Sequence, residues 1–324
     1  MILFRIIKLL FLLIWKIIVW TFTLLMIAFA LILVIVFISP DNNAGYEKDE
    51  RSTQPFSDSV FYELKDQLSF HENEENHLLN VTKLKIIQNC MQKIPNSKYT
   101  RYWKDFNQNE YFESFEIQNS LVCEATYNRN HIESNSEDIQ EYWRTVYSQI
   151  TKLDSSKLNF FYQYFEKIKQ EKELDYQEFA NVIVTFIQSI PYTLILNSSK
   201  EAALRQDGFS KEYLLNNQGP YLENIKFGLF SPLEFLYSLK GDCDTRTVTL
   251  YCILSHFGYD VIVLNCLTHS MLGINLPAQG KAVKYQGKNY YFWETTGPGW
   301  QVGQIPLEYA SMDWYVALPS VNNF

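Results

Sequence analysis

The fold is decided by one stretch of sequence, GDCDTRTVTLYCILSHFG at residues 241–258. From residue 248 to 257 the stretch is apolar on nearly all sides, and a helix of that kind belongs in the middle of a domain. Gly258 suits a C-cap, because glycine adopts positive φ at little cost. We therefore predict a central buried helix with Cys243 in its first turn.

The flanking patterns predict an α+β fold, with the central helix followed by an antiparallel meander. Upstream, a helical stripe of apolar residues runs from 179 to 190 and ends at Pro191, and a second short helix is predicted over 232–239. Downstream, the period changes to that of strands. The predicted strands cover residues 261–266, 268–274, 282–285 and 289–295, the last two forming a hairpin at Gln286-Gly287.

The remaining chain predicts three further regions: an N-terminal transmembrane anchor at 1–40, a polar linker at 41–57, and a mainly helical region at 58–175 ahead of the domain at 176–324. Residues 17–38 form an uncharged run of roughly 33 Å as a helix, enough to cross a bilayer. Basic residues precede the run and acidic residues follow it. The positive-inside rule then predicts a single pass, with the N-terminus cytoplasmic and the body periplasmic or extracellular.

Composition argues against one class of partner. The formal net charge is -8, and the three charged residues of the anchor are all basic, so the rest of the chain is more acidic still. A surface this negative repels phosphate backbones, and no basic cluster offsets it. We therefore expect no nucleic-acid binding.

Cys243 is the first candidate for chemistry. The start of a helix favours a thiolate, because unpaired main-chain N–H groups and the helix dipole lower its pKa. Asp242 or Asp244 can cap the same helix, although either carboxylate would oppose a thiolate by charge repulsion. Taken alone, a cysteine at a helix start is more often structural.

His269 and Glu294 change that interpretation. A cysteine nucleophile needs an imidazole to take its proton, and His269 lies on the predicted strand that follows the central helix and its first strand. Glu294 is the only charge in an aromatic strand, and a buried carboxylate implies a partner. If the second strand of the hairpin lies beside the His269 strand, Glu294 can orient the imidazole. The alternative for His269 is a hydrogen-bonded histidine of the core. The alternative for Glu294 is a glutamate that faces solvent.

Residues from about 176 to 306 resemble a known family through a series of ordered stretches. These are FIQSIPY at 186–192, SPLEFL at 231–236, GDCD at 241–244, FGYDV at 257–261, His269, and YFWETTGPGW at 291–300. In this order they are similar to the transglutaminase-like superfamily, most of all to its bacterial and archaeal cysteine peptidase branch. The resemblance implies a papain-like core with Cys243 as nucleophile, His269 as base and Glu294 in the orienting position. The family often has Asp in the third position, and Ser270 stands where a small apolar or aromatic residue is common.

Acyl chemistry also needs an oxyanion hole, for which the main-chain N–H of Cys243 is the natural first donor. Gln188 is a candidate second donor, since it lies in a matching stretch, although it can equally be an exposed helix residue. The sequence lacks CxxC, HxxxH, HExxH, EF-hand and phosphate-binding glycine motifs. We therefore expect no metal and no cofactor.

The sequence leaves three functions open. The leading one is a membrane-anchored peptidase or amidase that attacks protein or peptide amides through an acyl-thioester, with hydrolysis favoured over transamidation. The second is an inactive domain that serves as a tethered peptide or cell-envelope binding module. The third makes Cys243 a disulfide partner of Cys252 or Cys266, whereas Cys90 and Cys123 are a possible separate bridge.

Overall fold

The computed structural model of the protein describes residues 75–206, 208–216 and 219–321. The predicted anchor and linker lie outside these residues. Within the ranges described, no helix combines the length and apolarity needed to cross a membrane.

The first part of the described chain consists of helices and one antiparallel hairpin. Its elements are α1 (Glu75–Lys93), β1 (Ser97–Lys104), β2 (Glu110–Ile117), α2 (Asn119–Asn130), α3 (Ile139–Asp154) and α4 (Asn159–Glu171). The hairpin pairs all eight residues of each strand and was not foreseen in a region predicted as mainly helical. A disulfide between Cys90 and Cys123 joins α1 to α2.

The second part contains the predicted central helix and the main sheet. Its helices are α5 (Tyr176–Gln188), α6 (Lys200–Ala203), α7 (Phe209–Asn216), α8 (Pro232–Ser238) and α9 (Cys243–His256). Its strands are β3 (Leu194–Ile195), β4 (Tyr221–Leu222), β5 (Val261–Asn265), β6 (Ser270–Ile274), β7 (Ala282–Tyr285), β8 (Lys288–Trp293) and β9 (Tyr315–Leu318). The mixture of helix and sheet agrees with the α+β prediction.

The order of strands in the sheet differs from the predicted meander. All its pairings are antiparallel, but the order is β7-β8-β6-β5-β9, so the hairpin folds back and its second strand lies beside β6. A meander would have placed β7 there. Because β8 pairs with β6, the residue that follows β8 is brought close to the residue that precedes β6.

Helix α9 lies at the centre of this part, as the apolar run predicts. It packs against the helices α3, α5 and α8 and against the strands β5 and β6. The side chain of Asp242 caps its first turn by accepting from the main-chain N–H of Thr245 at 3.3 Å. Gly258 follows its C-cap with φ +82°, the left-handed conformation that the sequence called for.

The two parts share one hydrophobic core. The stripe on α5 is fully buried, and Phe186 within it packs edge-to-face on Trp103 of β1 and on Phe161 of α4. Aromatic pairs of this geometry add to the free energy gained by burying their surface. Residues from both sides of position 175 therefore stabilise each other.

A buried ion pair also joins the two parts. Arg129 of α2 donates to both carboxylate oxygens of Glu234 on α8, at 2.8 and 2.9 Å, and both side chains are at most 2 % exposed. Glu234 also accepts from the Thr126 hydroxyl and from the main-chain N–H of Ser231, the N-cap of α8. The pair thus fixes the start of the helix that leads into Gly241.

We expect Arg129→Met to lower the free energy of unfolding by about 3–5 kcal/mol, because it leaves the Glu234 carboxylate buried without its cation. Urea denaturation at pH 7 measures the loss. Arg144→Met is the control, since it removes an exposed pair with Glu141, and we expect it to cost less than about 1 kcal/mol. Equal losses in the two variants would contradict a stabilising role for the buried pair.

Candidate active site

Cys243 is the first residue of α9, directly after its N-cap Asp242. Its side chain is partly accessible and its sulfur is free, as are those of Cys252 and Cys266, which are buried. The interpretation of Cys243 as a disulfide partner of either is therefore wrong for this structure. The sulfur lies 3.9 Å from Oδ1 of Asp244, to which the thiol donates.

His269 and Glu294 meet as the pairing of β8 with β6 requires. Nε2 of His269 lies 2.8 Å from Oε2 of Glu294, and the two side chains are 7 % and 1 % exposed. An ionised carboxylate only accepts hydrogen bonds, so Nε2 is the donor. The remaining ring nitrogen, Nδ1, is then the one that can accept a proton.

The Glu294 carboxylate is held on both oxygens. Its Oε1 accepts from the main-chain N–H groups of Thr295 and Thr296, at 2.8 and 2.9 Å, and from the Thr296 hydroxyl at 2.7 Å. Burial by itself would raise the pKa of Glu294. The hydrogen bond and charge of His269, together with the bonds from Thr296, outweigh burial and hold the pKa below its ordinary value. The site thus contains a buried, ionised acid aligned on an imidazole.

The thiol of Cys243 does not have the lowered pKa that its place at a helix start suggested. Burial and the nearby carboxylates of Asp244 and Asp242 raise its pKa well above the ordinary value, while a hydrogen bond from the main chain of Ser270 opposes the increase. Burial is the largest of these causes, and the charge repulsion foreseen for the flanking acids adds to it. The direction of the shift favours the thiol over the thiolate.

Contacts of α9 place its beginning beside the other two residues. The hydroxyl of Thr247, one turn along the helix from Cys243, lies 3.3 Å from the main-chain oxygen of Ser270 and 3.3 Å from the Thr295 hydroxyl. Ser270 follows His269 in sequence, and Thr295 follows Glu294. Tyr309 stacks on the imidazole with ring centroids 4.2 Å apart. Burial raises the pKa of Tyr309 to about 12, and the charges of Cys243 and Glu294 add to this.

Gln188 does not have the role predicted for it. It is 1 % exposed, and its amide nitrogen donates to the main-chain oxygens of Glu294 and Trp300, at 2.7 and 2.9 Å. Both of its N–H groups are thereby used, so none is left for an oxyanion. Gln188 instead holds the main chain on either side of the ETTGPGW turn.

The most heavily bonded residue near the site, Arg246, was not predicted from the sequence. It is fully buried in α9, and its guanidinium donates to five main-chain carbonyls at 2.6–3.3 Å. The carbonyls belong to Ile187, Ile190, Pro191, Gly241 and Thr295. One side chain thus joins the end of α5, the approach to Cys243 and the residue after Glu294.

Tyr309 and Trp314 were also missed. Tyr309 covers one face of His269, and Trp314 approaches the same ring at 6.4 Å with an interplanar angle of 73°. Both come from the turn-rich stretch before β9, where single aromatic residues follow no period. No sequence signal marks them as site residues.

Two further observations bear on what the site can be. Over the described parts of the chain, no three His, Cys, Asp or Glu side chains come together in a way that would hold a metal ion. Comparison of the sequence and structure with models of protein families, with curated proteins and with solved structures finds no match in any of the three.

We expect Arg246→Lys to lower the free energy of unfolding by about 2–5 kcal/mol, because an ammonium has three donors and at least two of the five hydrogen bonds to main-chain carbonyls are lost. Chemical denaturation monitored by tryptophan fluorescence measures the change. Arg144→Lys on the surface of α3 is the matched control. A buried variant as stable as this control would show that the five bonds do not stabilise the site.

Glu294→Gln tests the buried acid through its pH dependence. A carboxyl whose pKa is lowered by folding stabilises the protein above its unfolded-state pKa, and the stabilisation is lost as the pH falls through the folded-state pKa. We expect the variant to be less stable than the parent by about 1–3 kcal/mol at pH 7, with the gap closing below about pH 4. Denaturation at both pH values measures it, with the exposed Glu308→Gln as control. A difference in stability between variant and parent that is the same at both pH values would contradict an ionised Glu294.

Proposed function

We propose that this chain is a thiol-dependent hydrolase or acyltransferase of the transglutaminase-like kind, acting on protein or peptide amides. The observation that carries the proposal is the buried 2.8 Å hydrogen bond between His269 and Glu294 beside a free cysteine at a helix start. The order of motifs and the α+β architecture support it. We also propose that the core is papain-like and that the chain belongs to the transglutaminase-like family.

In the proposed reaction His269 is the general base. Because its Nε2 donates to Glu294, Nδ1 takes the proton of the Cys243 thiol, and Glu294 stabilises the imidazolium that forms. The sulfur attacks the amide carbonyl, and the main-chain N–H of Cys243 donates to the oxyanion. His269 then protonates the leaving amine, which gives an acyl-thioester. Water, or another amine, resolves the thioester and regenerates the thiol.

The thiol form of the resting site fits this sequence of steps. A cysteine without a depressed pKa reacts only when a base removes its proton as the bond to carbon forms. The pair of His269 and Glu294 supplies that base. Proton transfer requires the sulfur of Cys243 to move from Asp244 towards Nδ1 of His269.

A second candidate function draws on the same observation. The thiol is bonded to Asp244 and its pKa is raised, which is also how an inactive domain would look. Such a domain would bind peptide or cell-envelope material without cleaving it. Cleavage of a bound peptide would distinguish the enzyme from the binding domain.

The proposal includes a membrane anchor at residues 17–38 with the body periplasmic or extracellular. The disulfide between Cys90 and Cys123 supports the location, since such bonds persist in oxidising compartments and are rare in the cytosol.

The test is turnover of a mixed peptide library by the full-length chain, with acid quenching and mass spectrometry to detect new termini and an acyl group on Cys243. We expect Cys243→Ala to abolish turnover, and His269→Ala to lower it about 100-fold or more because the general base is lost. Cys266→Ala is the matched control and should retain activity.

Turnover that persists in Cys243→Ala would contradict the assigned nucleophile. A folded parent protein that binds members of the library but never cleaves them would replace the enzyme with the binding module.

A further inference from the structure

The imidazole of His269 is contacted on its face as well as on its edge. On the face, the ring of Tyr309 lies nearly parallel to it, with an interplanar angle of 11° and centroids 4.2 Å apart. On the edge, Nε2 is 2.8 Å from Oε2 of Glu294. Neither contact uses Nδ1, the nitrogen that takes the proton in the proposed reaction.

Tyr309 is held over the imidazole by its own main chain and by Trp314. Its N–H donates to the carbonyl of Pro306 at 3.0 Å, and its carbonyl accepts from the N–H of Met312 at 3.2 Å and from Nε1 of Trp314 at 3.1 Å. Trp314 in turn packs edge-to-face on Phe292 of β8, with ring centroids 5.0 Å apart. The position of the phenol ring is therefore set by a segment that is anchored to the sheet.

The contact with Tyr309 becomes stronger when His269 takes a proton. In the proposed reaction the S–H bond of Cys243 breaks, the proton binds Nδ1, and the electron pair stays on sulfur, so the imidazole becomes an imidazolium. The face of an aromatic ring carries the negative part of its quadrupole and attracts a cation within about 6 Å of the centroid. An interaction that is stronger after proton transfer than before it is of the kind that accelerates a reaction.

We infer that Tyr309 is a positioning residue whose ring face stabilises the His269 imidazolium, in addition to the Glu294 carboxylate. The inference rests on the proposed roles of Cys243 as nucleophile and His269 as base. Glu294 acts on the new charge from the edge of the imidazolium, and Tyr309 acts on it from the face. Unlike a second carboxylate, a ring face adds this stabilisation without competing for the proton.

The experiment is the rate of alkylation of Cys243 by iodoacetamide at pH 7 in the full-length chain, followed by peptide mass spectrometry. The reagent reacts with the thiolate, so the rate reports how far the proton has passed from the sulfur to His269. The carboxylates of Asp242, Asp244 and Glu294, whose charges raise the pKa of Cys243, are the same in every variant compared. No substrate is needed.

Removal of the base calibrates the measurement. We expect His269→Ala to slow alkylation about tenfold or more, because the thiol loses its proton acceptor. An unchanged rate in this variant would contradict the base role of His269 and, with it, the inference.

Substitutions of Tyr309 separate the ring face from its volume. Tyr309→Phe keeps the face and should react within about twofold of the parent, whereas Tyr309→Leu keeps apolar bulk without the face and should slow alkylation about 3- to 10-fold. Tyr127→Leu is the matched control. Tyr127 stacks on His131 at the end of α2, with ring centroids 3.9 Å apart and an interplanar angle of 20°, and its loss should leave the rate unchanged.

A series of fluorinated rings at position 309 tests the charge of the face at constant shape. Phenylalanine with one, two or three ring fluorines packs as phenylalanine does, but each fluorine withdraws charge from the face. We expect alkylation to slow step by step along the series, whereas a role in packing alone gives equal rates. Should Tyr309→Leu fail to fold, the fluorinated series carries the test.

The inference is overturned if alkylation is equally fast with every ring of the series, or if Tyr309→Leu reacts as fast as Tyr309→Phe, while His269→Ala still slows the reaction. In that case the base role of His269 survives. A failure of the inference is thus distinguishable from a failure of the proposed function.

Discussion

The buried guanidinium of Arg246 is the constraint on which the rest of the site depends. It donates to five main-chain carbonyls from three separate segments, where a buried acceptor without a donor would be costly. Those segments are the end of α5, the residue before the Asp242 cap, and the residue after Glu294. Their mutual positions are set by one planar group on α9, the helix that also carries Cys243. Arg246 thereby positions Cys243 and Glu294 relative to the same helix.

The helical region is tied to α8 and to the end of β5 by polar contacts as well as by packing. Arg129 pairs with Glu234 at the start of α8, and Asp154 at the end of α3 accepts from the main-chain N–H of Leu233 in the same helix turn. Tyr147 reaches further, to the strand ends beside His269. Every one of these contacts is buried, where an unmatched polar group is costly. The first part of the chain therefore acts on the geometry of the site and is more than a cover for it.

Much of this arrangement could be predicted from the sequence, because the strongest patterns are local. The apolar run of α9, the cap at Gly258 and the strands β5 to β8 follow from periodicity and turn residues. The pairing of β8 with β6 does not, since a hairpin has the same local pattern whichever of its strands lies inward. From the sequence, this pairing is only a condition that must hold for Glu294 to reach His269. The observed order of strands meets the condition.

The site residues divide in the same way. Cys243 stands out because it begins a helix, and His269 and Glu294 stand out because each is a titratable group among apolar or aromatic neighbours. Tyr147, Tyr309 and Arg246 do not stand out, because their partners are main-chain atoms or residues far away in sequence. Gln188 was misjudged for a related reason. It lies off the predicted stripe of α5, but that helix is buried on nearly every side, so a polar residue there binds the main chain and not a ligand.

The bridge between Cys90 and Cys123 has a chemical consequence for a chain that also carries a partly accessible free cysteine. It closes a loop of sequence separation 33, and in the chain-entropy account such a loop is worth about 4 kcal/mol. Both of its sulfurs belong to residues at most 4 % exposed, whereas Cys243 is partly accessible. An oxidant or reductant in solution therefore reaches Cys243 more readily than it reaches the bridge. Within the described residues, a shielded disulfide thus coexists with a cysteine that is open to reagents.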